Sequence, residues 1–398
     1  MRARYLFIIF SVAIISAATF FYGFEPVIFP FQQEQTGKSN LPENPLDGRI
    51  VFENYGCISC HSINGFGGKT ASDFNSKNFL SGDFDLMSDI WNHSPQMLKA
   101  IEQMEINQKK MSAADFAKLR YFIYFLGFIS NNGSVSKGEE LFTQMKCANC
   151  HSIGKPIPDK INLDNIGYYA SPIYLAQVMW NHAAQMHKKQ KISNMNVPLF
   201  KDNEFADLAA YLEAESILGK RNKNYMYPGN PAKGEKLFVS KNCSYCHSQN
   251  EIGPSLSKID LHKNVNDIAG LLWNHSNVME SSMSKNKMSW PLFKNDEMGN
   301  LLAYLYFYNN KKVTGTIENG KKLLMSKGCS NCHYNGNSYN TIEVADIKPF
   351  DNIDEFFSKL WNHMPLIEKD FYTKGKEIPK LSSEDLKSIY LYFNRTKN

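Results

Sequence analysis

The chain of 398 residues carries 44 Lys and Arg against 39 Asp and Glu, a formal net charge of +5, and 43% hydrophobic residues. It is long enough for several domains. Because no run of Lys and Arg is clustered along it, the small positive charge does not predict nucleic-acid binding.

An apolar segment opens the chain. Arg2 and Arg4 precede an uncharged stretch from Tyr5 to Phe24, which at helical rise is about 30 Å long, enough to cross the hydrocarbon core of a bilayer. Residues 1–24 predict an uncleaved signal-anchor helix or a cleaved signal peptide, with the rest of the chain exported. The length of the apolar run favours the anchor. Residues 25–45, with four prolines, predict a tether of low regular structure.

All eight cysteines lie in four Cys-x-x-Cys-His motifs. Paired cysteines also occur in zinc sites, redox-active pairs and structural disulfides, but none of these requires a histidine after every second cysteine. The spacing is the attachment signature of c-type haem, in which two thiols bond the vinyl groups and the histidine reaches the iron. The sequence predicts four covalently bound haem c groups, on Cys57 and Cys60, Cys147 and Cys150, Cys243 and Cys246, and Cys329 and Cys332, with His61, His151, His247 and His333 as proximal iron ligands.

The surroundings of the motif repeat as well. A glycine stands nine residues before each first cysteine, and an apolar pair between them has helical spacing. A Trp-Asn-His (WNH) tripeptide follows each first cysteine after 30 to 34 residues, at the end of a second helical segment. Pro95 and Pro365 predict that this helix stops or kinks in the first and fourth units. An amphipathic helix with an aromatic end closes each unit. The glycines are Gly48, Gly138, Gly234 and Gly320, and the tripeptides begin at Trp91, Trp180, Trp273 and Trp361.

This order of an opening helix that runs into the motif, a middle helix and a closing helix resembles the class I cytochrome c domain. The resemblance covers nearly everything from Gly48 to the C-terminus and implies an all-α fold of four tandem domains. It also implies that the first and last helices cross near one haem edge. The WNH tripeptide with a following methionine is similar to a variant in many multihaem bacterial cytochromes. The predicted domains, called modules 1 to 4 below, are residues 46–130, 135–218, 229–309 and 315–398.

The sixth iron ligand has three candidate sets. Methionine raises the potential of a c-type haem, whereas a second histidine generally gives a lower one. The favoured set lies four residues after the WNH histidine, at Met97, Met186 and Met279; module 4 has Ile367 there. The second set comprises the WNH histidines His93, His182, His275 and His363, and the third comprises Met104, Met195 and Met288.

Module 4 departs from the others because its candidates are Met364, His363 or no protein ligand. An open iron there would allow a small molecule to bind. The remaining histidines, His187 and His262, are expected at the surface. The Trp and Asn of each tripeptide are expected to pack against the haem edge and to form a helix-end hydrogen bond. In class I domains a proline carbonyl commonly accepts from the proximal histidine, and Pro254 matches that pattern in module 3.

Four haems in a chain of similar modules indicate relay of single electrons. The leading hypothesis is a membrane-tethered tetrahaem cytochrome c on the periplasmic side of the bacterial cytoplasmic membrane, or free in the periplasm if the first segment is cleaved. Its expected partners are a membrane oxidoreductase and a periplasmic or terminal acceptor, with the membrane contacted through the N-terminal helix and no nucleic acid. The alternative is a haem enzyme or enzyme subunit with an open iron site in module 4.

Overall fold

The computed structural model describes residues 41–63, 65–74, 83–106, 109–129, 133–168, 171–218, 229–248, 252–259, 261, 263–308, 313–333 and 347–395. The predicted anchor helix, most of the predicted tether and His262 lie outside these residues. Within the part that is described, no helix combines the length and the apolar character needed to span a bilayer.

Helices dominate the described residues, so the all-α prediction is confirmed. Each module has an opening helix, a short helix or turn at the motif, a middle helix and a closing helix. The opening helices are Gly48–Asn54, Val135–Gln144, Pro231–Ser240 and Ile317–Ser326. The motif segments are Cys57–Cys60, Cys147–Asn149, Cys243–His247 and Ser330–His333. The middle helices are Asp83–Gln103, Pro172–Ile192, Val265–Lys285 and Ile353–Thr373, and the closing helices are Ala113–Ile129, Glu204–Glu215, Glu297–Tyr308 and Ser383–Phe393.

Short strands follow the motif in modules 1 and 2. Ser62–Ile63 pairs antiparallel with Phe66–Gly67, with Ser62 opposite Gly67. His151–Ser152 pairs parallel with Ile161–Asn162, with His151 opposite Ile161. Further short helices are Pro45–Asp47, Asp164–Tyr168 and Leu256–Lys258.

Side-chain caps define the start of three opening helices. In modules 2 to 4 the residue before the helix accepts a hydrogen bond from a backbone N–H in the first turn, which that turn would otherwise leave unpaired. Such a cap typically contributes about 1 kcal/mol. The capping residues are Ser134, Asn230 and Thr316.

A glycine in each opening helix allows close contact with the closing helix of the same module. A Cβ on Gly234 would lie 1.9 Å from the carbonyl oxygen of Asn300, which leaves no room for a side chain. The same contact with a closing-helix carbonyl occurs at Gly48, Gly138 and Gly320. The crossing also brings the aromatic residue of the opening helix onto the closing helix, where the Phe238 and Tyr304 rings are 5.5 Å apart. The glycine that repeats before every motif is therefore explained by this helix crossing.

The middle helices run through the WNH tripeptide, so the predicted stop at Pro95 and Pro365 is wrong. Each of these two helices is 21 residues long and contains its proline in the interior. Pro95 has no N–H to donate to the carbonyl of Trp91, four residues earlier. The hydroxyl of Ser94 donates to that carbonyl at 2.8 Å, which keeps it paired and allows the helix to continue.

The modules pack in two pairs that do not follow the order of the chain. The middle helix of module 2 lies against the middle helix of module 3, and the middle and closing helices of module 1 lie against those of module 4. A buried ion pair joins modules 1 and 4. The guanidinium of Arg120 donates to both carboxylate oxygens of Asp354, at 2.8 and 2.9 Å, and to Asp83 at 2.6 Å.

His187 is buried between modules 2 and 3, so the expected surface position is wrong. Its Nδ1 lies 2.8 Å from Oε2 of Glu280, and its Nε2 lies 3.1 Å from the hydroxyl oxygen of Ser276. Both of these residues belong to module 3. The His187 ring also packs against Trp273, with ring centres 5.6 Å apart.

The closing helices of modules 1 and 3 join the two pairs. The hydroxyl of Tyr306 donates to the carbonyl of Tyr124 at 2.7 Å, and the Tyr306 and Phe128 rings are 5.0 Å apart. Every residue from Met298 to Phe307 is buried. The module 3 helix is therefore not amphipathic as predicted, because its own module and its neighbours cover all of its faces.

The helix crossing predicts the effect of two matched glycine substitutions in module 3. Gly234→Ala places a methyl group against a backbone carbonyl and is expected to destabilise the haem-loaded protein by about 3 kcal/mol. Gly270→Ala, in the middle helix, has its nearest contacts at 3.5 Å or beyond, and is expected to be neutral or stabilising by up to about 1 kcal/mol. Urea unfolding followed by circular dichroism measures both. If the two variants were equally stable, the close contact between the opening and closing helices at Gly234 would be contradicted.

Candidate haem sites

The motif of module 3 lines a cavity of about 1280 Å³, including the solvent at its mouth. Both thiols of the motif and the imidazole of His247 line this cavity, and His275 reaches it from the middle helix. The remaining lining is mostly apolar and includes the candidate distal ligands Met279 and Met288. A large apolar cleft with a few polar groups is typical of a cofactor site. Two thiols, two imidazoles and apolar walls fit a haem attached through the motif.

The first cysteine of each motif is half-buried and packs against the apolar core. Burial raises the pKa of Cys57 to about 12 and the pKa values of Cys147 and Cys243 to about 11. It also raises the pKa of Cys329. The raised pKa values reflect the apolar surroundings of these thiols, which pack against the hydrophobic core of the chain. All eight cysteines are free of disulfide bonds, and among the described residues no three His, Cys, Asp or Glu side chains are grouped to hold a metal ion.

A backbone carbonyl orients the proximal histidine in two modules. In module 3, Nδ1 of His247 donates to the carbonyl of Pro254 at 3.0 Å, so the expected proline contact is confirmed. Module 1 lacks the proline, and Nδ1 of His61 donates to the carbonyl of Ser72 at 2.9 Å instead. A hydrogen bond at one ring nitrogen fixes the tautomer and the ring orientation, so Nε2 is the nitrogen that would ligate iron.

In modules 1 and 4 the WNH histidine lies near the motif histidine. The ring centres of His61 and His93 are 6.4 Å apart in module 1, and those of His333 and His363 are 6.0 Å apart in module 4. Two imidazoles that bind one metal ion from opposite sides, at about 2 Å each, have ring centres roughly 6 Å apart. The observed separations would therefore allow the two imidazoles to bind one iron between them.

The same helix that carries each WNH histidine also orients it. Nδ1 donates to the backbone carbonyl four residues earlier, at 2.7 Å for His93, 2.9 Å for His182 and 3.1 Å for His275. Burial and a nearby imidazole also lower the pKa of His151 and of His363. A lowered pKa favours the neutral imidazole, which is the form that binds a metal.

The candidate methionines differ in burial between the sets. Those of the favoured set are half-buried and pack against the apolar core, and Ile367 packs in the same way at the equivalent place in module 4. Met104 is 47% exposed, and its sulfur lies 3.8 Å from the Cys60 sulfur. Met364 is 1% exposed, and its counterparts in the other modules are equally buried. These counterparts are Ser94, Ala183 and Ser276. Because this buried position recurs in every module, it is part of the module packing.

The Trp and Asn of each tripeptide bind the backbone of the paired module. The side chain of Asn181 donates to the carbonyl of Phe293 at 2.8 Å and accepts from its N–H at 2.9 Å. Trp180 donates to the carbonyl of Pro291 at 2.8 Å. We call this arrangement the Trp-Asn clamp. In the other three clamps the asparagine and its backbone partner are Asn274 with Phe200, Asn92 with Leu381, and Asn362 with Met111.

The clamp corrects the expectation that these residues act within their own module. The repeated tripeptide signalled that Trp and Asn matter in each unit, but the residues that they contact are 74 to 289 positions away. No local pattern identifies a backbone partner at such a separation. Sequence analysis therefore found the residues and missed what they bind.

The sequence model of the cytochrome c family matches residues 135–215 and 231–306, which make up most of modules 2 and 3. These two segments are similar to cytochrome c domains, and this similarity implies covalently bound haem c and indicates a role in electron transfer. No curated protein and no solved structure matches the chain.

The clamp predicts that its asparagines stabilise the paired modules. Asn181→Ala removes both partners of the Phe293 backbone and is expected to destabilise the haem-loaded protein by about 2 kcal/mol, because buried polar groups lose their hydrogen bonds. Asn277→Ala, at an exposed position of the module 3 middle helix, is the control and is expected to change stability by about 0.5 kcal/mol or less. Urea unfolding compares them. If the two variants unfold at the same urea concentration, the clamp does not stabilise the paired modules.

Proposed function

We propose that the chain is a tetrahaem c-type cytochrome that relays single electrons. The two domains matched by the cytochrome c family carry the proposal for modules 2 and 3. Modules 1 and 4 have the same motif, the same glycine crossing and the same clamp. The observation that supports four equivalent sites best is the facing histidine pair, which occurs in modules 1 and 4 at 6.4 and 6.0 Å.

We further propose that the WNH histidines are the distal ligands, giving four irons each held by two histidines. His93, His182 and His275 share one orientation through the same backbone hydrogen bond. The fourth, His363, lies opposite its motif histidine. Bis-histidine ligation generally gives lower potentials than histidine–methionine ligation, so the proposed role is relay at low potential.

An open iron in module 4 is the basis of the alternative function as a haem enzyme. The reason for that alternative was the missing methionine, but Ile367 packs where the other modules place theirs. His363 provides module 4 with a second imidazole like that of module 1. Electron relay therefore explains the side chains of module 4 better than small-molecule catalysis.

The proposed location is the periplasmic side of a bacterial cytoplasmic membrane. The support is the N-terminal sequence, in which two arginines precede a long apolar run, and the export that haem c attachment requires. We propose a membrane oxidoreductase as electron donor and a periplasmic or terminal redox protein as acceptor. In this role each haem accepts and returns one electron, and the residues set its potential and exclude water from the iron.

The number of haems predicts the mass of the mature protein. Expressed in a host that performs cytochrome maturation, the intact chain should carry the added mass of four haems. Replacing both cysteines of one motif, as in Cys57→Ala with Cys60→Ala, should remove one haem mass and leave three. Mass spectrometry under denaturing conditions measures the number of haems attached to the chain. An unmodified wild-type chain would refute the proposed function.

The distal assignment predicts opposite results for two neighbouring substitutions. His275→Met should convert one quarter of the haem to histidine–methionine ligation and raise its midpoint potential, whereas Met279→Leu should leave all four ligand sets unchanged. Low-temperature EPR and near-infrared magnetic circular dichroism of the oxidised protein distinguish these ligand sets. If Met279→Leu changes one quarter of the signal and His275→Met does not, methionine is the distal ligand.

A further inference from the structure

The WNH tripeptide of module 2 contacts two candidate haem sites. His182 of module 2 lies near His151, the motif histidine of the same module. Two residues earlier on the same helix, Trp180 lines the cavity of module 3 together with His247. Its indole stacks on Trp290 of module 3, with ring centres 4.4 Å apart and planes 23° apart. One short segment therefore connects the site of its own module to the site of its partner.

The arrangement is reciprocal within each pair. Trp273 of module 3 donates to the carbonyl of Pro198 in module 2 at 2.8 Å. In the other pair, Trp91 donates to the carbonyl of Pro379 at 2.8 Å, and Trp361 donates to the carbonyl of Lys109 at a longer 3.5 Å. Both modules of each pair thus place an indole against the other module. The adjacent asparagine forms two further hydrogen bonds with the backbone of that module.

The contact between the two pairs is of a different kind. It is formed by the closing helices of modules 1 and 3, through Tyr306 with Tyr124 and through the rings of Tyr121 and Phe307. None of these four residues belongs to a motif or to a WNH tripeptide. The clamps, in contrast, connect module 1 with module 4 and module 2 with module 3.

We propose that the Trp-Asn clamp couples the haem sites of paired modules, so that electrons exchange between modules 1 and 4 and between modules 2 and 3, not along the order of the chain. This inference rests on the proposed function. The exchange is a one-electron transfer in which one iron is oxidised from ferrous to ferric and the other is reduced, and no bond forms or breaks. The indole connects the two sites, and the asparagine fixes its position.

The test is a double-mutant cycle on the full-length haem-loaded protein. His→Met substitutions mark individual haems by raising their midpoint potentials, and redox titrations with optical and EPR detection follow the marked haems. Three doubly marked proteins are compared, carrying His182→Met with His275→Met for modules 2 and 3, His93→Met with His363→Met for modules 1 and 4, and His93→Met with His182→Met for modules 1 and 2.

Within a pair, reduction of one marked haem should change the reduction equilibrium of the other several-fold, and by linkage the effect should be reciprocal. The marks in modules 1 and 2 should titrate independently. Trp180→Phe keeps an aromatic ring but removes the indole N–H, and should weaken the coupling between modules 2 and 3 alone. Trp91→Phe is the matched control and should act on modules 1 and 4 alone. Haem content and circular dichroism confirm that each variant is folded.

Coupling that is as strong between modules 1 and 2 as within the pairs would overturn the inference, and so would coupling that Trp180→Phe leaves unchanged. If His275→Met alters no haem signal, the proposed distal ligands are rejected instead. In that case the two Trp→Phe variants decide the inference without marks. Each should shift the midpoints of two haems, and the two variants should act on different haems.

Discussion

The side chain of an asparagine can pair with both the N–H and the carbonyl of a single backbone residue, and this double hydrogen bond holds the four modules in place. It occurs four times, always from a middle helix to the segment just before the closing helix of another module. That segment is not helical, so the N–H and the carbonyl of the clamped residue have no helix partners. The paired module supplies these partners, and each module depends on one other module to complete its backbone hydrogen bonding.

Since all four clamps are chemically alike, other contacts must determine which modules pair. In the pair of modules 1 and 4, the buried Arg120 is paired with Asp354 of module 4 and with Asp83 of module 1. If either module packed against a different module, a buried charge would lose its partner. Modules 2 and 3 share His187 with Glu280. Partner selection of this kind relies on the cost of a wrong pairing as much as on the strength of the right one. The repeated clamp and the different buried polar groups together explain why similar modules assemble in a nested order.

The nested order also matters for the sites. The middle helix of module 2 places His182 near its own motif and Trp180 at the cavity of module 3, because residues two apart on a helix point to different sides. The contacts that pair the modules therefore also fix the position of the WNH imidazole. Fold stability and site geometry depend on the same helix in every module, and the burial of the residue after each WNH histidine reflects this shared helix packing.

The sequence by itself determined the local chemistry. Four CxxCH motifs, the glycine before each motif and the three-helix order of each module follow from spacing and helical periodicity, because these features involve residues that are close along the chain. The tertiary structure alone decided which modules pair, where His187 lies and which backbone segment each tripeptide asparagine binds. These depend on contacts such as that between Asn92 and Leu381, which are 289 positions apart. Local preference carries no information about such partners, since the free energy that selects them comes from burial and hydrogen bonding across the assembled core.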